Sequence, residues 1–126
     1  MTPIRQLAII AIGVVLGLSA AATPASACTA SGRFYITSPG PWPIYLVVSP
    51  GEVCDRTFSL GFPGTHLYIV SNVSHGRLSL RQGGHYTYAP AAGYRGADAF
   101  TLKLCGRAQG GPTESCTDLN VSVAVQ

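Results

Sequence analysis

Three histidines, five carboxylates and four cysteines carry most of the reactive chemistry in this 126-residue chain. His66, His75 and His85 show no H-x-H or H-x3-H spacing that would place two imidazoles on one metal, and they read as surface or turn residues. No G-x-S-x-G elbow presents a serine nucleophile. A glycosidase needs two carboxylates flanking one bond. Glu52 and Asp55 are the only near neighbours, and they read as solvated residues of a turn leading into a strand. Asp98 has inward parity beside Phe100, where a carboxylate must be paired or hydrogen-bonded. Its expected role is to accept backbone amides of the connection before it. Calcium ligation is the sharper alternative, but one carboxylate falls short of the usual several oxygens. No catalytic, cofactor or metal residue is assigned, and the chain reads as a non-enzyme.

The elements that hold these residues begin after a leader. Arg5 precedes the apolar run Leu7–Leu18, which is followed by Ser19–Ala22 and by Ala25-Ser26-Ala27. A cationic start, an apolar stretch and an A-x-A site are the parts of a secretory signal peptide. The apolar run is shorter than the roughly 20 residues of a membrane span. Residues 1–27 are thus expected to be removed and residues 28–126 to form one domain, periplasmic or secreted. Cys28, Cys54, Cys105 and Cys116 all lie in the mature part. An even count in a small secreted chain reads as two disulfides. Lipid acylation of Cys28 is the competing reading; it would strand one thiol, and Ala25 stands where a lipobox usually has a branched apolar residue.

Charged residues make up 10% of the chain and its formal net charge is +3. That is too small and too scattered for a nucleic-acid interface, which favours a basic stripe. Trp42, the sole tryptophan, sits among prolines in Pro39–Pro43, with Tyr45 close by. Exposed, the pair would suit stacking on a sugar or a proline-rich partner; buried, Trp42 would plug one end of a core. Arg77, Arg81 and His85 share the outward face of a hairpin and read as a solvated strip. Asn72-Val73-Ser74 and Asn120-Val121-Ser122 match the N-glycosylation acceptor pattern, which matters only in a eukaryotic source.

Short apolar/polar alternations predict strands at 33–37, 44–48, 53–60, 67–70, 76–81, 85–89, 99–105 and 116–125, separated by Gly- and Pro-rich turns. Two hairpins have a definable register. Arg81 opposite His85 across Gln82-Gly83-Gly84 puts Leu78, Leu80, Tyr86 and Tyr88 on one face. Cys105 opposite Cys116 sets Leu102 against Leu119 and Phe100 against Val121 inside. The same register sets Lys103 against Asp118 and Thr101 against Asn120 outside. It predicts a Cys105–Cys116 bridge and, by elimination, Cys28–Cys54. The alternative, Cys54–Cys105 with Cys28–Cys116, conflicts with the outward parity of Cys105.

His75-Gly76, Tyr86-Thr87-Tyr88-Ala89-Pro90, Gly93-Tyr94-Arg95-Gly96-Ala97-Asp98-Ala99-Phe100 and Val121–Val125 together resemble the bacterial Ig-like/cadherin-like tandem-repeat modules. Those modules carry an H-G turn, a Y-x-Y-x-P strand end and a G-Y-x-G-x-D-x-F connection. The resemblance spans about half of the chain. It implies an all-β, Ig-like antiparallel β-sandwich of about seven strands and a role in envelope architecture, adhesion or interaction, without enzymatic activity. His75, Gly76, Tyr86, Tyr88, Pro90, Gly93, Tyr94, Gly96, Asp98 and Phe100 would then be fold determinants. This chain has one such unit and four cysteines, which the modules usually lack. The implied partner is a protein or glycan; the alternative function is a small secreted carbohydrate binder or enzyme inhibitor using Trp42 and Tyr45.

Overall fold

In a computed structural model, the described residues are 13, 28–60, 64–108 and 111–126. The expected leader, its cleavage site and parts of the turns at 62–64 and 110–112 lie outside the described residues. Among the described residues, eight strands form two sheets: β1 (Cys28–Gly32), β2 (Trp42–Val48), β3 (Cys54–Thr57), β4 (His66–Ser71), β5 (Gly76–Arg81), β6 (His85–Pro90), β7 (Gly96–Arg107) and β8 (Glu114–Val125). The larger sheet has the order β1-β2-β8-β7-β4 and the smaller β3-β6-β5. Neighbours are antiparallel except β2 and β8, which run parallel, with Ile44 beside Val121 and Leu46 beside Val123.

Period-two burial explains why these segments form strands. Ile44, Leu46 and Val48 of β2 point inward while Pro43, Tyr45 and Val47 point out. Phe100, Leu102 and Leu104 of β7 do the same opposite Val121, Leu119 and Thr117 of β8. Both predicted hairpin registers are present, from Arg81↔His85 to Leu78↔Tyr88 and from Phe100↔Val121 to Cys105↔Cys116. The two sheets meet through aromatic rings. Tyr86 and Tyr88 of β6, at most 1% exposed, approach Phe100 of β7 with centroids at 5.9 and 6.1 Å. Phe58 stacks on Tyr86 at 5.2 Å and meets the edge of Phe34 at 5.6 Å. Offset and edge contacts of this kind add about 1 kcal/mol each to the area they bury.

The loop 82–84 depends on glycine at one position in particular. Gly84 has φ +78°, and its carbonyl accepts the Phe58 N–H at 2.9 Å. A Cβ there would lie 2.3 Å from the Phe58 carbonyl oxygen, so only glycine lets β3's exit dock on the hairpin.

Several expectations need correction. The strand expected at 33–37 is a turn, closed by Ser38 N–H donating to the Tyr35 carbonyl at 3.2 Å. The first strand is instead Cys28–Gly32, pairing with β2. The strand expected at 53–60 shortens to four residues, since β6 offers partners only to Cys54–Thr57. Eight strands replace about seven, and the parallel β2–β8 pair departs from a purely antiparallel sandwich.

Cys28 is bonded to Cys54 and Cys105 to Cys116. The first joins β1 of the larger sheet to β3 of the smaller, and both its cysteines are buried. The second crosses adjacent strands with Cα atoms 4.1 Å apart, and Cys116 is exposed. Two intramolecular disulfides are typical of extracytoplasmic proteins.

Candidate functional site

Among the described residues the one buried carboxylate is Asp98, near the start of β7, 8% exposed. Four donors converge on it: Ser74 N–H at 2.9 Å, His75 N–H at 3.0 Å, its neighbour Ala99 N–H at 2.9 Å and the Tyr88 hydroxyl at 2.8 Å. Burial pushes the Asp98 carboxyl up, and the bonds from Ser74, Tyr88, Ala99 and His75 outweigh it, holding it below the usual carboxylate range. The same burial, reinforced by Asp98 itself, pushes the Tyr88 hydroxyl well above its ordinary value. Asp98 was expected to bond the connection just before it. It bonds instead the loop between β4 and β5, because β7 passes directly beside that loop. With every oxygen engaged by donors, this carboxylate acts as a clasp.

His75, Gly76 and Tyr94 gather around that clasp. The His75 ring lies on Tyr94, with centroids 4.2 Å apart and planes 5° from parallel. Ala91 N–H donates to the His75 carbonyl at 2.9 Å, Tyr94 N–H to the Ala91 carbonyl at 3.0 Å, and the Tyr94 hydroxyl to the Ala97 carbonyl. Gly76 lies so close to β6 that a Cβ would sit 2.3 Å from the Ala89 carbonyl oxygen. Above this corner is an open hollow of about 510 Å³, lined by Ser74–Arg77 and Ala89–Ala91. It offers one imidazole and one guanidinium as charged or titratable groups, with no carboxylate among its lining residues.

Trp42 and Tyr45 are not brought together. Trp42 has the inward parity of β2, is half-buried against the core and meets Tyr35 at 5.3 Å edge-on. Its indole Nε1 is buried and has no hydrogen-bond partner among the described residues. Tyr45 faces out from the opposite side of β2, 55% exposed. Trp42 thus closes one end of the core, and the two rings share no stacking platform.

The remaining polar candidates are dispersed. Asp55, on the outer face of the small sheet, forms an ion pair with Arg81 at 2.9 and 3.1 Å and accepts the Thr87 hydroxyl at 3.4 Å. Glu52 is exposed in the turn before β3. His85 Nδ1 shares a 2.6 Å hydrogen bond with Thr57 Oγ1, and His66 is exposed on β4 opposite Cys105. Cys105, Glu114 and Cys116 bring ligand-type atoms within 4.8 Å of one another, but both sulfurs are spent in the disulfide. Lys103 and Asp118 face each other in register without closing an ion pair, and Asp118 Oδ1 is buried with no hydrogen-bond partner among the described residues.

One surface escaped sequence reasoning. Tyr68, Ile69 and Val70 on β4 are 53%, 39% and 56% exposed. The run Leu67-Tyr68-Ile69-Val70 is readable as a strand, but its unbroken apolar character was the only sign that it lies at an edge. Among the described residues no helix is long and apolar enough to cross a membrane. Comparison with protein-family models and with curated proteins finds no match to this chain.

Proposed function

We propose that this chain is a secreted or periplasmic Ig-like domain that works without catalysis, as a structural, adhesion or interaction module of the cell envelope. The observation that carries the reading is the strand order. Sheets β3-β6-β5 and β4-β7-β8 correspond to the B-E-D and C-F-G groupings of an Ig-like sandwich, and β2 adds beside the last strand. Tyr88, Tyr94 and Asp98 of the Y-x-Y-x-P and G-Y-x-G-x-D-x-F signatures support it further, because their side chains serve one corner. Two disulfides favour an oxidising compartment. The groups able to do acid–base or nucleophilic work are spread over separate elements, which supports a binding role.

The test is fractionation of the native host followed by cross-linking and mass identification. The protein is expected in the extracytoplasmic fraction, starting at Cys28 with an unlipidated mass, and joined to an envelope macromolecule or to itself. Recovery in the cytoplasm, or a lipid-modified Cys28, would overturn the corresponding part of the reading.

A further inference from the structure

The outward side of the larger sheet carries a row of ligand-type side chains at one end. His66 of β4 faces Cys105 of β7, and Cys105 faces Cys116 of β8. Directly opposed residues on antiparallel strands share a face, with Cβ atoms about 5 Å apart. Glu114 lies two residues before Cys116 on β8, so it points the same way. Its carboxylate and the two sulfurs stand within 4.8 Å of one another, and among the described residues no other group of three such atoms is that close. His66 and Glu114 also line one hollow of about 380 Å³, together with Gly64, Gly106 and Arg107. Register, distance and a shared hollow thus gather four ligand types at one spot. Cys116, Glu114 and His66 are exposed there, so a dissolved ion and a reductant can both reach them.

We infer that the Cys105–Cys116 bridge is the oxidised form of a metal site, in which Cys105, Cys116, Glu114 and His66 take one zinc ion after a dithiol has opened the bridge. Opening begins when a thiolate of the dithiol attacks the exposed Cys116 sulfur and Cys105 leaves with the bridge electrons as a thiolate. The dithiol's second thiolate then attacks its own bound sulfur and releases Cys116. Two electrons have passed to the cysteines, and the reductant departs as its disulfide. Each freed cysteine binds the ion as thiolate, its proton going to solvent. Two thiolates on a tetrahedral zinc, each at about 2.3 Å, stand about 3.8 Å apart. Facing strands reach that spacing by side-chain rotation, and the exposed His66 imidazole joins in the same way. The donor set selects the metal. Thiolate and imidazole suit zinc or copper(I), and the carboxylate oxygen favours zinc of the two. One carboxylate is too few for calcium. The charge closes as well: two thiolates and Glu114 meet a divalent ion and the Arg107 guanidinium, which lies opposite Glu114.

Cobalt(II) titration, with zinc as competitor, tests this on the disulfide-bonded protein before and after opening. A phosphine reductant opens the bridge without competing as a thiol, and alkylation with mass analysis confirms Cys105 and Cys116 free and Cys28–Cys54 intact. The opened chain should take one cobalt, with a thiolate-to-cobalt charge-transfer band and the strong visible bands of a tetrahedral site, and zinc should displace it. The closed chain should show neither band. His66→Ala and Glu114→Gln should each weaken cobalt binding by at least about tenfold, the lower bound for losing even a group that only supports a ligand. Asp55→Asn, on the other sheet, should leave binding unchanged. No cobalt uptake by the opened chain would overturn the proposal, as would equal uptake by the closed one. Variants at His66 and Glu114 that bind like the parent would overturn it too. So would loss of the far-UV strand signal on opening, because the site needs the sheet to hold its four ligands together.

Discussion

Tyr88 on β6 donates its hydroxyl to Asp98 on β7 at 2.8 Å, linking the middle strand of the small sheet to the large sheet. The carboxylate also gathers the amides of Ser74 and His75, so one side chain ties three elements. Asp98→Asn puts an amide NH2 where an N–H or O–H already donates, and is expected to cost about 2 kcal/mol at pH 7, measured by denaturant unfolding. Tyr88→Phe, which removes one of the four donors, should cost about 1–2 kcal/mol.

The pH dependence follows from the same group. The carboxyl titrates lower in the folded chain than its ordinary 3.8. The unfolded state therefore binds the proton first, and the stability from Asp98 is present above about pH 4 and lost as pH falls toward the folded value. The gap in stability between the parent and Asp98→Asn should narrow on acidification below about pH 4. A gap that stays constant down to pH 2 or so would show that the charge is not what the donors hold.

The two disulfides should differ in worth and in access. In the chain-entropy treatment, the 26-residue separation of Cys28–Cys54 contributes about 3.5 kcal/mol and the 11-residue separation of Cys105–Cys116 about 2.8 kcal/mol. Paired alanine substitutions measure the difference. A mild dithiol should open Cys105–Cys116 first, because Cys116 is exposed while both partners of the other bridge are buried; alkylation and mass analysis report the order.

Trp42 separates packing from binding. Its Nε1 has no partner among the described residues, so Trp42→Phe should stay within about 1 kcal/mol of the parent. Trp42→Ala empties one end of the core and should cost about 2–3 kcal/mol, below the full range for a buried tryptophan because the ring is half-buried. Unchanged thermal stability of Trp42→Ala, together with loss of a glycan or protein target, would make Trp42 a binding residue instead.

Adjacent glycines give an internal control. Gly83→Ala meets open space apart from the His85 ring at 3.6 Å, and its left-handed φ of 81° should cost about 1 kcal/mol. Gly84→Ala adds a collision with the Phe58 carbonyl and should cost about 2–3 kcal/mol. Paired melts of the two variants measure the gap.

The hairpins were legible because their evidence is local. Leu102 and Leu119, or Leu80 and Tyr86, can face each other only in one register once a turn is placed, and a slip would turn them to solvent. The inward parity of Asp98 was legible for the same reason. Its donors were not, since Ser74 and His75 come near it only when β5 and β7 lie in opposing sheets, a long-range fact. The parallel pairing of β2 with β8 is hidden likewise, because the partners Ile44 and Val121 stand far apart in the sequence. Parity was also available for Trp42 and Tyr45: three residues apart on one strand, they must face opposite ways. The exposure of β4 needed the count of strands in each sheet.

Photo-cross-linking in the native host, with the cross-linker placed at Val70 in one version and at Arg77 in another, tests the central claim most directly. The account predicts a macromolecular adduct from position 70 and none from position 77, with the protein in the extracytoplasmic fraction. No macromolecular adduct from position 70 in a folded, disulfide-bonded chain would contradict it.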